Sequence, residues 1–314
     1  MRAVGVVEFG GPENLVEVEL PMPEPGDRRV RIRVHAATVN PTDTIFRSGG
    51  QYGRTLITDP PFIPGMDLAG VIDAVGPEND GRLNVGDRVV AMSLPNGRHR
   101  GAYADYVVVP AVSVVRAPKD LDLLTSSTFL MNALTARLSL DALALLPGQS
   151  LAVTGAAGCY GGFVVQLALA DGIRVIADAS PSDEALVGSL GDVQIVPRGD
   201  DVAASIRALL PEGVDGFADG SVQRELVVPA VKDGGGIAVI RGWEGQPGRG
   251  INVHQILVSS HYGETAKMER LVEQVEDGTL TLRVAEVFPA QQAAEAHRKL
   301  EAGGVRGRMV LDFS

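Results

Sequence analysis

Three glycines spaced three residues apart, Gly155, Gly158 and Gly161, stand in the stretch SLAVTGAAGCYGGFVVQLA at 150–168. An apolar run (151–153) leads into them and a run of helical character (163–170) leads out. Glycine in such a turn adopts backbone angles closed to other residues and lets a phosphate approach the main chain. A helix that starts there aims its unpaired amides at the same point. Capture of a pyrophosphate is the chemistry this spacing suggests, although glycine turns also join strands to helices for packing alone. The neighbours favour the ligand. A second apolar run, IRVIADA at 173–179, follows after one helix length, as a strand-helix-strand unit requires. Asp178 then lies in the neighbourhood, about 20 residues on, where an acid binds ribose hydroxyls in NAD enzymes.

Other polar residues carry two readings each. Asn40, before Pro41, starts a turn or faces a ligand, and Asp43 caps a short helix, TDTIFRSGG, or touches substrate. Tyr52 lies in a glycine-rich loop between Arg47 and Arg54. Its hydroxyl could supply a proton, or it is an exposed aromatic without a task. The two arginines read first as solvated charges. Thr135 and Gln166 fall within helical patterns and read as packing residues. His35, His99, His254, His261 and His297 are scattered without ligand spacing, and no Ser-His-Asp arrangement is visible. Cys159, the only cysteine, cannot form an intramolecular disulfide or a cysteine cluster for structural zinc. Within the glycine turn it is a small residue first.

The elements that would position these residues fall into two textures. Over 1–118, short runs such as RVRIRVHAATV, LAGVIDAVG and ADYVVVPA alternate with Gly, Pro, Asn and Asp clusters, the pattern of a β-rich barrel or sandwich. A helical pair, LDLLTSSTFLMNALTARLSLDALALL, follows. From 150 to about 242, strands and helices alternate, QRELVVPAV among the helices, which implies a parallel sheet covered on both faces. TAKMERLVEQVEDG and AQQAAEAHRKLEAGG read as amphipathic helices, and GRMVLDFS closes the chain as a strand that could return to the first domain. At 314 residues two domains are the default. A formal net charge of -11 argues against nucleic acid and against an anionic membrane surface. No leader pattern and no apolar run of about 18 residues is seen, so a soluble cytoplasmic protein with a small-molecule partner is expected.

Several motifs in one order resemble the medium-chain dehydrogenase/reductase superfamily, and within it the zinc-independent quinone oxidoreductase branch. They are VNPTDTIFRSGGQY (39–52), PFIPGMDLAGVIDAVG (61–76), VGDRVVA (85–91), GAYADYVVVPA (101–111), MNALTA (131–136), GAAGCYG (155–161) and VRGRMVL (305–311). The resemblance implies an α/β fold: a GroES-like β-rich domain from 1–118 and 284–314, with a Rossmann doubly wound parallel sheet domain from 119–283. It also implies a homodimer that extends the Rossmann sheet, with GGIAVIRG as the candidate edge. Zinc-dependent relatives carry Cys and His where this chain has Asn40 and Met66, so no zinc is expected.

By the same resemblance Asn40, Asp43 and Tyr52 form the catalytic set, with Asn40 and Asp43 beside the nicotinamide and Tyr52 at the mouth of the substrate pocket. Thr135 lies near the nicotinamide ribose. Gly155, Ala156, Gly158, Cys159, Tyr160 and Gly161 form the phosphate loop. Ala179 and Ser180 leave room for a 2'-phosphate, for which Arg198 supplies charge, and Gly242, Arg306 and Arg308 complete the cofactor set. The implied cofactor is NADPH, with NADH still open beside Asp178. The implied function is hydride transfer to a quinone or activated enone. Reduction of an enoyl thioester, or a non-catalytic NADPH-binding regulator, is the alternative.

Overall fold

The computed structural model describes residues 1–50 and 55–314, which form two compact units. Met1–Met131, His261–Glu276 and Leu282–Ser314 make the first, and Asn132–Ser260 with Asp277–Thr281 the second. In the first unit β1 (Arg2–Val6) and β2 (Leu15–Glu19) pair antiparallel. β3 (Arg29–Val39) follows, with Val30, Ile32 and Val34 buried on one face as its alternation requires, and with both faces buried from Ala36 onward. The chain turns through α1 (Pro41–Arg47) into β4 (Asp67–Val75), β5 (Arg88–Met92), β6 (Tyr106–Pro110) and β7 (Val114–Arg116). β4 and β6 flank β3 antiparallel, and β5 joins β4 to β7. α2 (Leu123–Ser126) starts on Asp122, whose carboxylate accepts the Thr125 amide at 2.8 Å.

α3 (Leu130–Leu143) leads to the second unit, where the alternation of strand and helix runs through β8 (Ser150–Thr154), α4 (Cys159–Ala170), β9 (Arg174–Ala179), α5 (Glu184–Gly188), β10 (Val193–Pro197), α6 (Val202–Leu209), β11 (Val214–Asp219), β12 (Val231–Val239) and β13 (Asn252–Gln255). All six strands are parallel, in the order β10-β9-β8-β11-β12-β13. The chain works outward from β8 in one direction, then restarts on its other side at β11. The crevice at the carboxyl ends of β8 and β11 is therefore the switch point at which such sheets hold ligands. β8, with all five residues buried, supplies the uniformly apolar strand that a sheet covered on both faces needs.

After α7 (Thr265–Glu276) the chain continues through β14 (Val284–Pro289), α8 (Ala293–Ala302) and β15 (Arg308–Asp312). β15 pairs antiparallel with β3, Met309 opposite Val39. α8 stops at Gly303, whose φ of 79° favours glycine.

Three expectations are corrected. The segment GGIAVIRG is not a sheet edge, because β12 bonds to β11 on one side and to β13 on the other, and β13 is the edge strand. The helix expected over QRELVVPAV is a 3-10 segment, Arg224–Ala230, since Pro229 inside it has no amide to donate. Residues 119–131 and 261–276 fold with the first unit: α2 packs on β3 and β4, and α7 lies on β7, where the Thr265 hydroxyl donates to the Val112 carbonyl at 2.7 Å.

Among the described residues no helix is long and apolar enough to cross a membrane. Phe217, fully buried in β11 at the switch point, anchors the parallel sheet. Phe217→Ala is expected to cost about 3–5 kcal/mol, read as a lowered urea midpoint of the purified chain.

Candidate functional site

In the second unit β8 empties into Gly155, whose φ of 69° lies in the left-handed region. The Gly158 amide closes the turn on the Gly155 carbonyl at 2.9 Å, and α4 begins at the next residue. A Cβ on Gly161 would lie 2.3 Å from the Gly155 carbonyl oxygen, so only glycine lets the helix seat against the loop. Gly158 is less crowded: a Cβ there would meet only that same oxygen, at 3.1 Å. The three glycines therefore differ in task, and the middle one is left for the close approach of a ligand.

Two groups flank the loop without partners. The Ala156 amide donates to Asp178 Oδ1 at 3.1 Å, while the buried Oδ2 of Asp178 has no partner. Burial raises the Asp178 pKa, opposed by the Ala156 amide and by the charge of Arg198. Ser221 Oγ, past the end of β11, is also buried and unsatisfied, and a Cβ on Gly155 would stand 3.2 Å from it. Such orphans at a switch point leave bonding capacity open for a polar ligand. Asp219 secures the neighbouring segment, accepting from the Thr154 hydroxyl and from the amides of Gln223 and Arg224.

The remaining loop residues take varied places. Cys159 is buried at the first turn of α4. Tyr160 turns away into the core, where its hydroxyl meets Ser139 Oγ at 2.8 Å and burial pushes its pKa up. Thr135 is buried in α3 and its carbonyl accepts the Ser139 hydroxyl. Ala179 ends β9, and its carbonyl accepts the Arg198 amide at 2.9 Å, which places Arg198 beside Asp178. The Ser180 hydroxyl is already bonded to Asp183 at 2.6 Å. Gly242, φ 56°, has open space where a Cβ would be. Gln166 joins α4 to Thr281 at 2.8 Å, a packing role.

A second cluster lies in the first unit. Asn40 caps α1, and Asp43 reaches back to accept its amide at 2.8 Å, the reciprocal arrangement of a capping box. Asp43 also accepts the Gly65 amide at 3.1 Å and lies 3.4 Å from the Tyr103 hydroxyl, which in turn is 3.1 Å from His297 Nε2. Asp43 is wholly buried with both oxygens engaged, so it has no surface to offer a substrate and acts as a pillar under Asn40. The Asn40 side-chain amide donates to Asp67 Oδ2 at 3.0 Å, and Asp67 accepts the Met131 amide at 2.8 Å.

Burial pushes the Asp43 pKa up to about 7, assisted by the charge of Asp67, and that of Asp67 up to about 6. Arg308, only 7% exposed, draws both down, yet its Nε finds no acceptor. His297 is held neutral, its pKa lowered by burial to about 3. Arg306 donates to the Val305 carbonyl at 3.1 Å. Arg47 is not the solvated charge expected: it is buried and bonded to Gly10 O and Glu301, the latter at 2.6 Å. Tyr52 and Arg54 lie outside the described residues.

Asp67, Tyr103, Thr42 and Ser221 were not singled out by sequence. Thr42, two residues past Asn40 in α1, carries a buried hydroxyl with no partner. Asp67, directly after Met66 in the motif PFIPGMDLAG, was the one with a visible signal. Zinc does not fit this cluster. The Asn40 amide nitrogen is a donor turned toward Asp67, Met66 is a poor ligand, and among the described residues no three His, Cys, Asp or Glu side chains converge.

Residues 26–119 match the alcohol dehydrogenase GroES-like domain and 191–311 match a family described as zinc-binding dehydrogenase. The human quinone oxidoreductase is 37% identical over 185 residues, 58% of this chain and 54% of that protein, so the match spans about half the length of such relatives. A solved NAD-dependent alcohol dehydrogenase is 30% identical, with a TM-score of 0.86 and both chains covered in full. A mycobacterial protein solved in complex with NADPH is 28% identical, with a TM-score of 0.88, covering 99% of this chain and 100% of its own.

An acid whose pKa is higher folded than unfolded favours folding below about pH 4 and loses that contribution as pH rises through about 7. Between pH 4 and 8, stability measured by urea unfolding is therefore expected to shift toward Asp43→Asn relative to wild type. The shift is on the order of 2–4 kcal/mol, and a pH-independent difference would contradict the assignment.

Proposed function

The chain belongs to the medium-chain dehydrogenase/reductase superfamily, and from that premise we propose that it is an oxidoreductase that passes a hydride from a reduced nicotinamide dinucleotide to a quinone or activated enone. The observation that carries this reading is the glycine turn at the switch point of a parallel sheet, with the unsatisfied Asp178 Oδ2 and Ser221 Oγ beside it. The backbone of 155–161 and the first turn of α4 would hold the pyrophosphate. The cofactor supplies the hydride when bound.

The protein's own residues would do the rest. Asp178 holds the loop through the Ala156 amide. Asp43 fixes Asn40, whose side chain is steered by Asp67. The donor set around Asn40 and Met66 is wrong for a zinc ion, so the hydride acceptor is polarised by protein groups alone in this reading. A proton for the reduced acceptor would come from Tyr52 or from water.

For the cofactor we favour NADPH. Arg198 places a guanidinium, free of side-chain hydrogen bonds among the described residues, next to Ala179 at the adenosine end, and a similar protein was solved with NADPH. A second reading, NADH, is favoured by the unpaired oxygen of Asp178, which could accept from ribose hydroxyls. We further infer a cytoplasmic homodimer formed along the free edge of β13, with no nucleic acid or membrane partner.

Oxidation of NADPH and NADH is followed at the reduced-nicotinamide absorbance, about 340 nm, against a panel of quinones, enones and enoyl thioesters. Quinone-dependent turnover is expected, with Arg198→Ala raising the KM for NADPH about tenfold and that for NADH less than about twofold. Tight dinucleotide binding without turnover of any acceptor would reject the reductase in favour of a regulator. An unchanged NADPH KM in Arg198→Ala would turn the cofactor reading toward NADH.

A further inference from the structure

The segment that leaves the carboxyl end of β11, residues 220–224, is held in a strained backbone. Val222 and Arg224 both take a left-handed φ, 60° and 54°, and for a β-branched residue such as Val222 that is an outlier. Buried Asp219 imposes it. Its carboxylate accepts the Gln223 amide at 3.0 Å and the Arg224 amide at 2.7 Å, and the Oδ1 that takes the Gln223 amide also takes the Thr154 hydroxyl at 2.9 Å. The Ser221 amide in turn donates to Thr154 Oγ1 at 3.3 Å. The segment is therefore pinned to the end of β8, where the glycine turn begins, and backbone strain fixed in this way gathers at ligand clamps.

Gln223 stands between the two strained residues. Its backbone is tied to β8 through Asp219, and its side chain crosses to the other side of the switch point, where Nε2 donates to the Gly199 carbonyl at 3.0 Å. Gly199 follows Arg198 after β10, and the Arg198 amide is bonded to Ala179 at the end of β9. The carboxamide thus spans from the strand that feeds the phosphate loop to the strands that flank the adenosine end. Space is open at its anchor, since a Cβ on Gly199 would meet no atom within 4 Å. Gln223 Oε1 itself is buried and has no partner among the described residues. The amide cannot turn over without losing Gly199, whose carbonyl accepts only from the N–H side, so Oε1 is fixed as a free acceptor and one N–H of Nε2 remains beside it.

A free carbonyl oxygen repels phosphate and carboxylate and takes only a donor. In the adenosine half of a dinucleotide the nitrogen donor is the 6-amino group of adenine, with the acceptor N7 next to it, and a carboxamide matches that edge with two hydrogen bonds. We propose that Gln223 reads the adenine ring, Oε1 accepting from the 6-amino group and the remaining N–H donating to N7, with the Asp219-bound segment and Gly199 holding the carboxamide for that contact. The inference rests on the dinucleotide part of the reductase reading and adds to it recognition of the base.

Binding is measured by isothermal titration calorimetry, with no acceptor present, for NADPH and NADH and for the form of each in which hypoxanthine replaces adenine. Hypoxanthine carries a carbonyl oxygen in place of the 6-amino group, so it meets Oε1 with a second acceptor. Wild type is expected to bind the adenine form of its preferred cofactor about tenfold more tightly than the hypoxanthine form. In Gln223→Met, which keeps the length of the side chain and removes its polar atoms, that ratio is expected to fall to about twofold or less, and Gln223→Ala is expected to behave in the same way.

A ratio near one in wild type overturns the inference. So does an unchanged ratio in the variants while both forms weaken together, because Gln223 then only braces the segment. If wild type binds none of the four dinucleotides, the dinucleotide reading fails and the base contact with it. Binding that selects adenine through Gln223, in a protein that turns over no acceptor, leaves the inference standing and sinks the reductase reading alone.

Discussion

The seat of Gly161 against the Gly155 carbonyl is the constraint on which the candidate cofactor site depends. With a Cβ at residue 161 the helix α4 could not start where it does, and its first amides would point elsewhere. Because β8 is buried on both faces and flanked by β9 and β11, the loop that leaves it has one exit, over the carboxyl edge of the sheet. Asp178 from β9 then accepts the Ala156 amide and Asp219 from β11 accepts the Thr154 hydroxyl, which brace that exit from both sides. The loop is thus held by main-chain geometry and two buried acids, and its one large side chain, Tyr160, is bonded in the core.

The first unit solves a different problem, how to keep a short helix in place among strands. α1 has seven residues, too few to be stable by propensity. It is held by Pro41 at its start, by the reciprocal bonds of Asn40 and Asp43, and by the ion pair of buried Arg47 with the exposed Glu301. The consequence is two carboxylates buried close together, Asp43 and Asp67, with a raised pKa at each. Burying acids in this way is costly unless they are fully bonded, and here the amides of Asn40, Gly65 and Met131 do most of that work. The fixed element is the Asn40 side chain, which is bonded to Asp67 and so keeps one orientation.

Unpaired groups are informative where they gather beside a candidate site; others, such as His35 Nε2 and Asn79 Oδ1, lie elsewhere. Asp178 Oδ2, Ser221 Oγ, Thr42 Oγ1 and Arg308 Nε are buried without partners. Residual capacity of this kind is what a fold leaves for molecules that are not part of it.

By itself the sequence determined the class of fold and the glycine-rich turn between β8 and α4, because both depend on local pattern: alternation at period two, strand-helix alternation, and glycines at fixed spacing. The motif order placed Asn40, Asp43 and the loop residues among the candidates for the same reason. Tertiary structure alone decided which side chains are free. Ser180 and Tyr160 look available in the sequence and are bonded inside the fold, while Asp67 and Ser221 gain their positions from strands distant in the chain. It also decided that β13, four residues with no strong pattern, forms the sheet edge in place of the glycine-rich β12, since pairing is a long-range contact that composition does not encode.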